Sequence, residues 1–261
     1  MPAFGQKLAV LTVAILTITV LASVAARAET LTIAVASNFA EPLREIARHF
    51  DASTGHDVRV SPGSSGRLYA QIINGAPYDL FLSADVRRPE MLEQESKIVA
   101  GSRTTYAIGQ LVAWSRDVEF ADNTCLDGLE YLGNRKLAIA NPLLAPYGIA
   151  AKEYLLARGL WQGLQDNLVL GENVAQTLQY AASGGASIAI VAKSQIRSAE
   201  DFGDVCILPI ASDDHKPVLQ QLVQLLNAAN NEVAAEFIVY LRGPESRAII
   251  AEYGYLLPEL E

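Results

Sequence analysis

Short apolar runs alternate with amphipathic stretches along this chain, and the alternation predicts strands and helices in turn. Residues 31–36 (LTIAVA) have the length and character of a buried strand. Residues 41–50 then carry Leu43, Ile46, Ala47 and Phe50 at helical spacing, with Pro42 tolerated in the first turn. Thr54-Gly55 closes that helix. Residues 58–60 predict a short strand, and Leu68, Ile72 and Ile73 mark one face of a helix over 67–73 that Asn74-Gly75-Ala76-Pro77 stops. Residues 80–82 read as a buried strand and 89–95 as an exposed helix. Residues 106–114 are a long β-like run with no helix immediately after it. A strand at 136–140 follows, then the turn 141–148 (NPLLAPYG) and a helix through Ala150, Tyr154, Leu155 and Leu156. Residues 173–182 predict a helix ended by Gly184-Gly185, and 187–191 a strand. After 206–209 two helices are expected, over 218–227 and 231–241. There is no internal repeat, low-complexity linker or long charge run.

This alternation implies an α/β architecture of mostly parallel sheets covered by helices. The run 106–114 is a candidate connection between two lobes. If the chain returns near 205–217, the first lobe is discontinuous and its last helices come from the C-terminal end. The expected division is 29–107 with 208–261 for lobe one and 108–207 for lobe two. Ligands of open α/β sheets bind at the carboxyl ends of strands, so a ligand between the lobes is gripped from both.

Composition adds a destination. Lys7, the apolar residues 8–24 and Ala26-Arg27-Ala28 read as a secretory signal peptide, 1–28, cut before Glu29. A retained membrane anchor is the alternative, but the run is short for a span and no second one follows. No cysteine follows the segment, so a lipid anchor is not expected. Its removal takes away Lys7 and Arg27 and no acid, so 20 basic residues become 18 against 29 acidic ones, a net charge of −11. That balance argues against nucleic acid, whose phosphates call for a basic patch. It leaves small anions open, because backbone N–H groups bind them without formal charge. Cys125 and Cys206 lack metal-ligand spacing. In an oxidising compartment they permit one disulfide, which sequence alone leaves open.

The candidate chemistry lies in two hydroxyl-rich turns, Ser37-Asn38 and Pro62-Gly63-Ser64-Ser65-Gly66, each between a strand and a helix. A helix N-terminus offers unpaired N–H groups and a positive dipole end, which attract anions. The plainer reading makes these serines and Asn38 helix caps. A serine hydrolase fits poorly: Gly63-Ser64-Ser65-Gly66 lacks nucleophile-elbow spacing. His49, His56 and His215 read as exposed surface residues without a carboxylate to orient them. Asp79 and Asp85 read as capping or surface groups, and no Gly-rich loop with lysine supports nucleotide binding.

Six segments together resemble the periplasmic molybdate-binding proteins that serve ABC-type importers: 31–39 (LTIAVASNF), 61–66 (SPGSSG), 69–77 (YAQIINGAP), 80–85 (LFLSAD), Asn141-Pro142 with Ala145-Pro146-Tyr147-Gly148, and Gly243-Pro244. The likeness runs from Leu31 to Leu257 and is nearer the Azotobacter-type branch than the enteric one. It implies a two-lobed, type II periplasmic binding protein fold, a location in the periplasm, no catalysis and no cofactor. The implied ligand is molybdate, and also tungstate, with molybdenum held only as the oxyanion.

Carried onto this chain, the donors are Ser37, Asn38 and Ser65 through hydroxyl, amide and backbone N–H groups, and the backbone N–H groups of Tyr147 and Val174. Ser64 is secondary. Enteric members place a tyrosine hydroxyl on the anion where this chain has Ala192, so that donor is missing. The implied partner is an inner-membrane ABC permease, and the expected state is a monomer. The alternatives are another oxyanion, such as sulfate or phosphate, on the same fold, and more distantly a secreted serine hydrolase.

Overall fold

The computed structural model describes residues 28–120, 124–198 and 206–259. In chain order the elements are β1 (Thr30–Ala36), α1 (Ala40–Thr54), β2 (Asp57–Gly63), α2 (Ser65–Ile73), β3 (Leu80–Ser83), α3 (Arg87–Gln94), β4 (Thr104–Gly109), β5 (Leu111–Ser115), β6 (Leu137–Ala140), α4 (Pro146–Ala157), β7 (Leu168–Gly171), α5 (Val174–Ala182), β8 (Ile188–Ala192), β9 (Cys206–Pro209), β10 (Val218–Gln224), α6 (Glu232–Arg242) and α7 (Pro244–Glu252). They build two five-stranded sheets, β2-β1-β3-β10-β4 and β7-β6-β8-β5-β9. In each, three parallel strands are followed by one strand that runs against its neighbours.

β1 shows why its apolar run is continuous. Leu31, Ile33 and Val35 pack into a core with Phe39, Phe50 and Phe237, while Ala34 faces the opposite side with Leu68, Ile72 and Phe81. Helices cover both faces from Ile33 to Ala36, where every position is buried and apolar, and the two threonines, Thr30 and Thr32, stand at the less buried start of the strand. The second lobe has its own core around Trp114, Leu137, Ile139, Leu155 and Ile190.

The run 106–114 is the connection between lobes. β4 belongs to the first sheet and β5 to the second, with Gln110 between them. The chain returns between β9, in the second sheet, and β10, in the first. The strands therefore cross slightly later than 107/108 and 207/208, since β4 runs through Gly109 and β9 through Pro209. Cys125 and Cys206 form a disulfide that ties the segment after β5 to β9.

Two expectations are corrected. Residues 218–227 are not a helix; Val218–Gln224 is strand β10, antiparallel to both β3 and β4. Leu and Gln favour helices, but pairing on both edges overrides propensity. The helix at 89–95 is not simply exposed: α3 begins at Arg87, and Arg88, Pro89 and Leu92 are buried. The expected signal peptide lies, through residue 27, outside the described residues. No helix among the described residues is long and apolar enough to cross a membrane.

Candidate functional site

Four strand-to-helix turns meet between the lobes. β1 leads into a 3₁₀ turn, Ser37–Phe39, ahead of α1, and β2 leads through Ser64 into α2. β6 leads through 141–145 into α4, and β7 leads through Glu172 and Asn173 into α5. All four sit at carboxyl ends of parallel strands, where this architecture places ligands. They enclose a small cavity of about 10 Å³ lined by Ser37, Asn38, Ser64, Ser65, Tyr147 and Val174, with Ala, Gly, Pro and Asn173 completing the wall. No charged side chain lines it. Among the described residues no group of His, Cys, Asp and Glu could hold a metal ion.

Each residue presents a specific group. Ser64 stands at the N-cap of α2, yet its hydroxyl makes no capping bond. That oxygen is buried and has no hydrogen-bond partner within the protein. Ser65 is fully buried, and its hydroxyl accepts from the Ala84 N–H at 3.0 Å, which leaves its own proton to give. Asn173 caps α5 by accepting from the Ala175 and Gln176 N–H groups, both at 3.0 Å, and passes over Val174. Pro146 opens α4, so Tyr147 carries an early N–H of that helix. Among the described residues no backbone acceptor pairs with the Ser65, Tyr147 or Val174 N–H. First-turn N–H groups lack an intrahelical partner, and here the helix dipoles add to them.

Asn38 corrects the expectation for its side chain. Its amide Nδ2 donates to Gln220 Oε1 at 2.8 Å and to Tyr255 Oη at 2.9 Å, away from the cavity. Only its backbone remains for a ligand. Nor does the Ser37-Asn38 pair cap α1, whose N-cap is Phe39 with no side-chain bond. Ala192 ends β8 buried and brings no hydroxyl.

The lobes touch around the cavity. Gly66 N–H donates to Leu144 O at 2.9 Å, and Arg88 Nη2 reaches the same carbonyl at 3.3 Å. Arg67 and Glu172 pair across the mouth. Ser194 Oγ donates to Asn38 O at 2.9 Å. This is a closed arrangement of the two lobes.

No arrangement for nucleophilic catalysis appears among the described residues. Asp79 accepts from the Thr32 N–H at 2.7 Å, and Asp85 pairs with Arg88, so both serve the scaffold. His49 does have a carboxylate, Glu245 at 2.6 Å, and His56 is half-buried near Glu236. Sequence reasoning missed these partners because they come from the far end of the chain.

Residues 31–256 match the model of the bacterial extracellular solute-binding proteins. The chain belongs to that family. It is 40% identical to the molybdate-binding protein ModA of Azotobacter vinelandii, over 88% of this chain and 91% of that one. It is 40% identical to ModA of Rhodobacter capsulatus, over 85% and 86%. The solved A. vinelandii periplasmic molybdate-binding protein superposes with a TM-score of 0.81 at 39% identity, covering 88% of this chain and 100% of that one. The fold is that of a two-lobed periplasmic binding protein, and the family's members are binding proteins rather than enzymes.

One feature of the site was invisible in the sequence. Behind the cavity, Gln220, Tyr106, Tyr255 and Ser194 form a buried hydrogen-bonded cluster with Asn38. Their separation along the chain hides it, and Gln220 falls in the stretch whose pattern suggests a helix but which is strand β10. Burial pushes the Tyr106, Tyr147 and Tyr255 phenols well above their ordinary value, so they are neutral.

Proposed function

We propose that this protein is the periplasmic receptor of an oxyanion importer and that its ligand is molybdate, with tungstate bound in the same way. The observation that carries the reading is the charge-free cavity onto which unpaired N–H groups of α2, α4 and α5 and the unpartnered Ser64 hydroxyl converge. Hydrogen bonds to an ionised acceptor are roughly twice as strong as neutral ones. Several of them replace the anion's hydration shell without burying a lysine or arginine. The cavity, at about 10 Å³, is far smaller than the ~300–1,000 Å³ usual for organic ligands. The names of the 40%-identical relatives supply the choice of anion.

In this reading Ser37, Asn38, Ser64, Ser65, Tyr147 and Val174 form the ligand shell, with Asn38 acting through its backbone. Lobe one takes the anion first, and closure about the β4–β5 and β9–β10 connections brings Tyr147 and Val174 onto it. Such closure belongs to the known repertoire of periplasmic binding proteins. A donor shell sized for molybdate leaves the smaller sulfate with long bonds. A shell without a carboxylate also gives the O–H of hydrogen phosphate no charged acceptor. Export by removal of 1–28 and delivery as a monomer to an inner-membrane ABC permease complete the proposal. Calorimetric titration of the anion-stripped protein with molybdate, tungstate, sulfate and phosphate tests it. One-to-one binding of the first two with the others silent is expected. Binding of sulfate or phosphate instead would move the ligand, and no heat with any oxyanion would end the receptor reading.

A further inference from the structure

Tyr147 reaches in two directions. Its backbone N–H belongs to the wall of the cavity, while its phenol runs into the seam between lobes. There Gln220 Nε2 donates to Tyr147 Oη at 3.4 Å. Gln220 is fully buried in β10 of the first sheet, whereas Tyr147 opens α4 in the second lobe. The other end of the same amide, Oε1, accepts from Asn38 Nδ2 at 2.8 Å and from Tyr106 Oη at 3.1 Å. One side chain thus joins a first-lobe cavity residue to a second-lobe cavity residue without lining the cavity itself.

The seat of the phenol is tight. A Cβ added at Gly109 would stand 2.1 Å from Tyr147 Oη and 2.9 Å from Gln220 Nε2. Gly109 is the last residue of β4, and only Gln110 separates it from β5 in the other sheet. The phenol therefore lodges in the hinge. A tyrosine ring is rigid, so the place where the phenol stops limits where the N–H of the same residue stops.

We infer that Gln220 is a positioning residue for the anion: by seating the Tyr147 phenol against Gly109 it sets how far the second lobe closes, and so where the Tyr147 N–H meets the ligand. The inference rests on the oxyanion reading above. A residue that only packs the core would change the stability of the anion-free protein. A residue that sets the closed position changes how long a bound anion stays.

Sodium molybdate is the probe, applied to the parent protein, Gln220→Met, Tyr147→Phe and the double variant. Affinity is read by calorimetry and rates by stopped-flow tryptophan fluorescence. Thermal unfolding of each anion-free protein is the control for folding. Dissociation is expected to be about 10-fold faster in Gln220→Met and roughly 3- to 10-fold faster in Tyr147→Phe, the scale of one lost hydrogen bond. Association should stay within about twofold, since affinity differences of this kind lie in dissociation. The double variant should be no worse than Gln220→Met alone, because both changes break one contact. If Gln220→Met fails to fold, Tyr147→Phe decides. Failure of the parent to bind molybdate would sink the oxyanion reading. A binding parent with variants that release at the parental rate, or with additive losses, would overturn the positioning role alone.

Discussion

Ser64 and Ser65 are neighbours with nearly equal burial, and the account predicts opposite effects on stability when each becomes alanine. The Ser64 hydroxyl is buried without a partner. Removing it deprives the anion of one donor, worth about 1.5–3 kcal/mol for a hydrogen bond to a charged group. Affinity for molybdate should fall about 10- to 150-fold, at about 1.4 kcal/mol per factor of ten. The anion-free protein loses nothing and sheds an unsatisfied polar group, so its Tm should hold or rise. The Ser65 hydroxyl, by contrast, accepts from the buried Ala84 N–H at 3.0 Å. Ser65→Ala should weaken binding by a similar factor and also leave that N–H unpaired, at a cost of about 1–3 kcal/mol of stability. For a protein of this size that is roughly 2–4 °C of Tm per kcal/mol. Calorimetric titration and thermal unfolding of the anion-stripped variants read both quantities. An affinity within twofold of the parent for Ser64→Ala, or a clear loss of its anion-free stability, would refute the reasoning.

Further outcomes follow from the same structure. Because no group lining the cavity titrates near neutrality, molybdate affinity should be flat from about pH 6 to 9; a step in that range would reveal a charged participant. The buried phenols of Tyr106, Tyr147 and Tyr255 have raised folded-state values. Their contribution to stability is therefore complete below the unfolded value of about 10 and is lost as pH rises above it. Ultraviolet titration should show these phenols ionising only as the protein unfolds. The Cys125–Cys206 disulfide joins positions with a sequence separation of 81; reduction should cost about 2–4 kcal/mol of stability, read by thermal unfolding with and without reductant. Arg67→Ala breaks an ion pair whose side chains are 58% and 38% exposed. It should change affinity less than about twofold, and a tenfold loss would make that pair part of the site.

How much the sequence revealed depends on how local the signal is. β1, β3, β6 and β8 are apolar runs covered on both faces, and such runs are readable from composition alone. The turns at Ser37, Ser64, Tyr147 and Val174 were placed because strand, turn and helix signals follow one another within a few residues. The sequence of β10 suggests a helix because Leu219, Leu222 and Val223 suit either period, and what decides is pairing with β3 and β4, which lie more than a hundred residues earlier. The role of the Asn38 side chain is hidden for the same reason: its acceptors, Gln220 and Tyr255, come from the far end of the chain. The hydrogen bond between Gln220 and Tyr147 also needs the closed lobes, which no local pattern encodes.

The central claim is that neutral groups alone hold the anion between the lobes. Crystals grown with tungstate, measured at a tungsten absorption edge, test it directly. The account predicts one anomalous peak between the lobes, within hydrogen-bond distance of the Ser64 and Ser65 hydroxyls and the Tyr147 and Val174 N–H groups. An empty cleft would contradict it. So would the principal peak standing in the larger cavity beside Arg103, Arg242 and Arg247, where charge rather than neutral donors holds the ion.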